Sequence, residues 1–466
     1  MVSLSPFSSL LLFLFLFLHS IYPPTTTVAA AARPNHDYFL KLPLLHKPPF
    51  STPLQALSFD ARRLSLLHHS HRRRRHPSLR SPLVSGASSG SGQYFVSLRL
   101  GSPPQTLLLV TDTGSDLIWV KCTACRNCSH HSPGSTFLAR HSSTFSPAHC
   151  FNRLCRFVPH PDPTRCNLTR LHSPCRYEYQ YSDGSLTSGF FSRETTTLNT
   201  SALGETKLKN LAFGCGFRVS GPSVTGRSFN GAQGVMGLGR GPISFSSQLG
   251  RRFGYNKFSY CLRDYTLAPP PTSYLMIGGD SQTRNVSRTG AMCYTPLIAN
   301  PLSPTFYYIG IRSVSVDGVK LPIDPSVWSI DEEGNGGMVV DSGTTLTFVP
   351  ESAYGEILKA FQSRVKLPGA EDPTPGFDLC VNVSGVGRPD FPRMSFELLG
   401  RRAVFGPPPG NYFIETSEGV ACLAIQPVGE GGGFGVMGNL MQQGFLLEFD
   451  RDRSRLGFSR RGCARP

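Results

Sequence analysis

In "LLLVTDTGSDLIWVK" (residues 107–121) one aspartate, Asp112, stands between two apolar runs, and "GGMVVDSGTTLTFVP" (336–350) repeats the phrase around Asp341, 229 residues later. A carboxylate in a low-dielectric interior costs several kcal/mol unless something compensates it. Taken singly, each Asp is equally the cap of an ordinary turn. Taken together they suggest chemistry. Two carboxylates within hydrogen-bond distance cannot both ionise cheaply, so they share one proton and titrate as a unit. Such a pair can grip a water, take its proton through the charged member and polarise a carbonyl through the protonated one. That cleaves an amide with neither metal nor covalent intermediate, so no cofactor and no metal site is expected.

The neighbours of each Asp suit that task. Gly114 and Gly343 allow a tight turn that brings backbone N–H groups towards the carboxylates. Thr113 and Ser342 are placed to brace one loop against the other, and Ser115 and Thr344 to hydrogen-bond the outer carboxylate oxygens. Downstream of each Asp comes Val-Met-Gly, in "GAQGVMGLGR" (231–240) and "GFGVMGNLMQQ" (433–443), apolar and close-packing, fit to hold each loop from behind. The spacing from Asp to Val-Met-Gly differs between the copies, as insertions in one would produce. The ordered repeat predicts two lobes of related topology.

The positioning elements read as strands. "QYFVSLRLGSPPQTLLLVTDTG" alternates, turns at Gly-Ser-Pro-Pro and returns as a hairpin. Helical periodicity is scarce. "PESAYGEILKAFQSRV" is the best case, with Pro350 in the first turn and Tyr354, Ile357, Leu358, Phe361 and Val365 on one face. With 466 residues, 16% charged residues, 47 Gly and 39 Pro, the chain reads as a loop-rich, mainly β protein too long for one core.

The N-terminus reads as a targeting segment. "LLLFLFLFL" (10–18) is too short to span a bilayer comfortably, and "VAAAA" (28–32) follows as a cleavage region, although no Lys or Arg precedes it. No later stretch is apolar enough to span, and "RRGCARP" offers no lipid-anchor tail, so no membrane anchor is expected. The formal charge of +16 is concentrated: ten Lys or Arg against Asp37 and Asp60 lie between Arg33 and Gly90. In a cytosolic protein "HHSHRRRRHP" would suit a nuclear signal or a DNA arm. Behind a secretory leader it reads as a pro-segment, its Arg72–Arg75 run either covering an acidic cleft or forming a protease-sensitive linker. Nucleic acid is not an expected partner. The thirteen cysteines, including the triplet in "CTACRNC", permit a metal cluster by spacing, but in an oxidising compartment disulfides are the better reading, and an odd count leaves one thiol over. Five sequons (Asn127, Asn167, Asn199, Asn285, Asn382) fit a secreted surface. His130, His131 and His141 read as solvated loop residues. The expected organisation is a leader over 1–32, a basic pro-segment over 33–85, an N-terminal lobe over 86–275 and a C-terminal lobe over 276–466.

From Gly92 to Cys463 the chain resembles the pepsin-like aspartic proteases, and among them the nepenthesin-type plant enzymes. The carriers are "DTGSDLIWVKC", "YQYSDGSLTSG", "FGCG", "GVMGLGRGPISFSSQL", "KFSYCL", "DSGTTLTF", "FDLC", "CLAI" and "VMGNLMQQ". The resemblance implies a bilobal β fold with a central cleft, and a β-hairpin flap at "YSDGS" in which Tyr181 is the flap tyrosine and Trp119 its hydrogen-bond partner. It implies that Asp183 and Thr345 lie beside substrate, with Ser182 departing from the Gly usual in such flaps. Twelve cysteines fall where the subfamily has them, leaving Cys293 as the extra one. No long saposin-like insertion interrupts the C-terminal half. Taken with the leader, the resemblance predicts a monomeric endopeptidase acting on peptides in acid after zymogen activation, secreted to the extracellular space, with the vacuole as the alternative. The alternative is an inert binding protein on the same scaffold, of the kind that inhibits microbial glycoside hydrolases.

Overall fold

The alternation in "FVSLRL" and "QTLLLVTD" becomes an antiparallel hairpin. Strand Phe95–Leu100 pairs with Gln105–Asp112 from Phe95 opposite Val110 to Leu100 opposite Gln105. Gly101, at φ 101°, takes the left-handed turn position that a side chain disfavours. Both faces are covered. Val96, Leu98, Leu107 and Leu109 enter the main core, while Phe95 and Val110 pack with Trp119, Tyr177 and Val235 on the other side. Asp112 is thus the last residue of a strand buried on both faces, which explains its apolar surroundings.

The computed structural model describes residues 39–45, 57, 60, 93–126, 136–160, 173–180, 185–200, 204–225, 229, 231–253, 256–264, 272–278, 292–371, 373–429, 433–461 and 463. All of these fall in one compact unit, Tyr38–Pro466. The Arg72–Arg75 run, Cys128 and the sequons at Asn127, Asn167 and Asn285 lie outside the described residues.

Each Asp strand is held by the same crossing. Gln105–Asp112 runs parallel to Gly234–Gly237, Leu109 opposite Gly234 and Asp112 opposite Gly237. The chain then returns as Trp119–Arg126, antiparallel to that segment at Trp119 opposite Val235 and parallel to Gly204–Ser220. In the second copy Met338–Val340 runs parallel to Gly435–Met437, with Met338 opposite Gly435. Thr347–Val349 returns antiparallel at Phe348 opposite Val436 and parallel to Ile425–Pro427. The offset separating Asp112 from Asp341 also separates Leu109 from Met338 and Trp119 from Phe348, so the repeat seen in sequence is a repeat of register. The glycines follow from it. A Cβ on Gly237 would strike the backbone of Asp116 and Leu117, and one on Gly438 the carbonyls of Thr345 and Leu346. The supporting segment passes so close beneath the exit of each loop that only hydrogen fits.

Antiparallel pairing of Lys257–Cys261 with Leu446–Asp450 joins the two halves of the chain, and the Cys261–Cys463 disulfide lies beside it. The nineteen-stranded sheet that results also takes in Phe39–Leu45, a strand from the expected pro-segment. It pairs with Ser273–Gly278 along its length and with Phe95 and Val96 at its end. In the sequence analysis this stretch falls in the basic pro-segment and is assigned no element. Pro43 is tolerated with an exposed side chain opposite Tyr274.

The one long helix among the described residues, Glu351–Arg364, buries Ala353, Tyr354, Ile357, Ala360 and Phe361. Pro350 is its N-cap rather than a first-turn residue, one position outside the expected place. Cys122 is bonded to Cys215, which takes the first cysteine of "CTACRNC" out of any metal cluster. Cys155–Cys175 and Cys380–Cys422 are also bridged, and Cys293 is the free thiol among the described cysteines.

Two glycine substitutions separate crowding from chain entropy. Gly438→Ala should lower stability by roughly 3 kcal/mol, because rigid backbone, not a movable side chain, meets the new methyl group. Gly355→Ala, on an exposed helical position with open space around it, should raise stability by about 0.5–1 kcal/mol. Denaturant unfolding of both variants checks the pair of signs.

Candidate active site

The two aspartates receive matched hydrogen-bond sets. Gly114 N donates to Asp112 Oδ1 at 3.0 Å and Ser115 Oγ to Oδ2 at 2.5 Å. Gly343 N donates to Asp341 Oδ1 at 2.9 Å and Thr344 Oγ1 to Oδ2 at 2.7 Å. Asp112 is 0% exposed and Asp341 3%. Each carboxylate thus has one backbone and one hydroxyl donor from its own loop. Together they orient its plane and offset the water it has lost.

The loops are locked together by a reciprocal pair. Ser342 N donates to Thr113 Oγ1 at 2.8 Å, and Thr113 N donates to Ser342 Oγ at 3.2 Å. The hydroxyls pass the pattern on: Thr113 Oγ1 donates to Val340 O, and Ser342 Oγ to Thr111 O, each at 3.3 Å. Thr113 Oγ1 also lies 3.3 Å from Asp341 Oδ1, so the second carboxylate reaches the residue adjoining the first. All four groups are buried, where each bond is worth more than in water and each omission costs more.

Four supports have no role in the sequence analysis. Asp116, the second acid of "DTGSD", is half-buried where the first loop meets the following segments. It accepts from Gly241 N and from Thr305 Oγ1, both at 2.8 Å. A Cβ on Gly239 or Gly241 would collide with its carboxylate, so the alternating glycines of "GLGRG" were the available signal. Burial pushes its carboxyl above the usual range, against the pull of Thr305, Gly241 and the Arg451 charge. Asn439 and Gln442, from "VMGNLMQQ", brace the second loop: Asn439 Nδ2 donates to Ser342 O at 3.1 Å and Gln442 Nε2 to Asp341 O at 3.2 Å. Tyr260 donates its hydroxyl to Gln442 Oε1 at 2.5 Å. Burial, with the Asp341 charge nearby, holds that phenol well above its usual range, so it stays a donor.

The expected substrate-side residues fare differently. Trp119 is fully buried and lies parallel to the Phe229 ring, centroids 6.0 Å apart. Tyr181 and Asp183 lie outside the described residues. The strands before and after them, Arg176–Gln180 and Leu186–Thr200, pair antiparallel up to Gln180 opposite Leu186. Thr345 is buried, and its N–H donates to Asp60 Oδ2 at 3.1 Å. Asp60 belongs to the expected pro-segment, where the sequence alone marks it only as a charge.

Residues 94–279 match the family described as "Xylanase inhibitor N-terminal" and residues 306–460 the family "Xylanase inhibitor C-terminal". Among curated relatives, "Aspartyl protease family protein 2" of Arabidopsis thaliana is 36% identical over 82% of this chain and 74% of its own. "Aspartic proteinase nepenthesin-1" of Nepenthes gracilis is 36% identical over 80% of this chain and 79% of its own. Among solved structures, "Crystal structure of edgp" superposes with a TM-score of 0.66 at 19% identity, covering 90% of this chain and 94% of that one. "Crystal structure of Basic 7S globulin from soybean" gives 0.63 at 17%, covering 91% and 95%. At these identities the last two speak for the fold alone.

Asp116 gives a pH test with a defined sign. A carboxyl whose folded pKa is raised contributes its full stability below the unfolded value, near pH 4, and loses it as pH rises through the folded value. Asp116→Asn keeps an acceptor for Gly241 N and does not titrate. Wild type should therefore gain stability relative to Asp116→Asn as pH falls from neutral, with the difference levelling off below about pH 4. Thermal unfolding midpoints of the two proteins across that range check it.

Proposed function

Because the chain belongs to the plant pepsin-like aspartic protease family, we propose that it is an active endopeptidase whose dyad is Asp112 and Asp341. The observation that carries this is the matched pair of donor sets, Gly114 with Ser115 and Gly343 with Thr344, on loops locked by Thr113 and Ser342. An inert protein has no need to bury two carboxylates on loops locked to each other and orient both in the same way.

In the proposed reaction the dyad holds one proton and one water. The ionised carboxylate takes a proton from the water as its oxygen attacks the peptide carbonyl, while the protonated carboxyl donates to the carbonyl oxygen. The resulting tetrahedral diol collapses when the dyad's proton passes to the leaving nitrogen, the ionised carboxylate takes a proton from one diol hydroxyl and the C–N bond breaks, returning the pair to one shared proton. Acid favours the singly protonated pair over the doubly ionised one, so activity is expected at low pH. Substrate is proposed to lie in a cleft between two lobes, under a hairpin tip carrying Tyr181 and Asp183, with Trp119 beneath and Thr345 at its side. The protein is proposed to be secreted, to the cell-wall space or a vacuole, as a monomeric zymogen needing no cofactor.

A second reading, a binding protein on the same scaffold, draws on the inhibitor name of the matched family. Hydrolysis of casein by the purified chain across the acid range decides between them. Asp112→Asn and Asp341→Asn should each lower the rate roughly a thousandfold or more with the unfolding midpoint kept within a few degrees. A processed, folded wild-type protein that leaves casein intact throughout favours the binder.

A further inference from the structure

Each aspartate loop has an additional carboxylate beside its exit. In the first copy it is Asp116, held within the loop's own segment. In the second copy the same register position is Thr345, and the carboxylate there is Asp60, from far upstream in the chain. Asp60 is 0% exposed and its Oδ2 accepts from Thr345 N at 3.1 Å and from Leu346 N at 2.8 Å. Two adjacent N–H groups converging on one oxygen form a compact anion cradle. Leu57, one turn before Asp60 and also helical, is buried among Phe306, Tyr308, Leu346 and Phe348. Spacing of three residues puts both side chains on one helical face. Upstream, Phe39–Leu45 is tied into the main sheet by its pairing with Ser273–Gly278.

We propose that the amides of Thr345 and Leu346 form a carboxylate-binding site, and that Asp60 is its resident occupant, keeping the chain latent while residues 39–60 remain attached. This rests on the peptidase reading for its consequence, not for the site itself. The segment is anchored at two places: a strand in the sheet, and an apolar-plus-acidic contact four residues after Asp341. The N–H groups it seals stand on the wall of the second loop, where an extended substrate would need backbone partners. An acid suits this contact, because a loop exit exposing N–H groups attracts an anion. Cutting the chain anywhere after Asp60 frees the segment to leave, and the cradle opens without any change in the dyad.

The test uses the full chain. The initial rate of casein hydrolysis is read before intact mass shows N-terminal processing, for wild type, Asp60→Ala and Asp60→Asn. Asp60→Ala should raise it about tenfold or more, the size set by losing charge-assisted hydrogen bonds. Asp60→Asn, which keeps an acceptor oxygen without charge, should give a smaller rise and serves if the Ala variant fails to fold. In parallel, fluorescein-labelled casein is titrated against full-length Asp341→Asn with and without Asp60→Ala. Tighter binding upon Asp60→Ala supports the site even if no variant ever cleaves, in which case the peptidase reading falls alone. Equal initial rates and equal casein affinities with and without Asp60 overturn the proposal.

Discussion

Two carboxylates taken out of water have to be compensated on both sides at once, and the reciprocal bonds between Thr113 and Ser342 are what make that possible. Each residue lends its backbone N–H to the other's hydroxyl, and each hydroxyl then reaches a carbonyl of the opposite strand, Val340 or Thr111. The two loops, distant in sequence, become one rigid object. Without that lock the donors at Gly114, Ser115, Gly343 and Thr344 would each fix a carboxylate only relative to its own loop.

The packing beneath serves the same end. Val235 and Val436 each sit between the strand arriving at an Asp and the strand leaving it. This crossing admits no side chain at Gly237 or Gly438, and it sets the height at which each loop turns. Behind the second loop, Asn439 and Gln442 bond its carbonyls, and Gln443 reaches across to Tyr94, whose carbonyl accepts from Thr111 N. Support for one aspartate is therefore in contact with support for the other. A change at either end is felt at both, since buried hydrogen-bond networks hold only when complete.

Asp116 and Asp60 show how position in the repeat decides the use of an acid. Both lie beside a loop exit, each with one oxygen accepting from backbone N–H. Asp116 is built into the first loop's own segment and joins it to Gly241 and Thr305. Asp60 belongs to a part of the chain that is also held by packing at Leu57, by sheet pairing over Phe39–Leu45 and by Lys41 over the Tyr274 ring.

The sequence by itself determined the repeat: Asp-[Thr/Ser]-Gly-[Ser/Thr] with Val-Met-Gly behind it, the hairpin leading to Asp112 and the helix after Pro350. These are local patterns, written in turn chemistry and periodicity, so they survive without coordinates. Four things needed tertiary structure. The 229-residue register, the clasp around Asp116, the bracing by Asn439 and Gln442, and the placement of Asp60 against Thr345 each join residues far apart in the chain. Nothing in the composition of "LSFD" or "NLMQQ" names its partner. Hydrogen bonds across long separations depend on where the backbone has already been brought, and sheet pairing and core packing decide that.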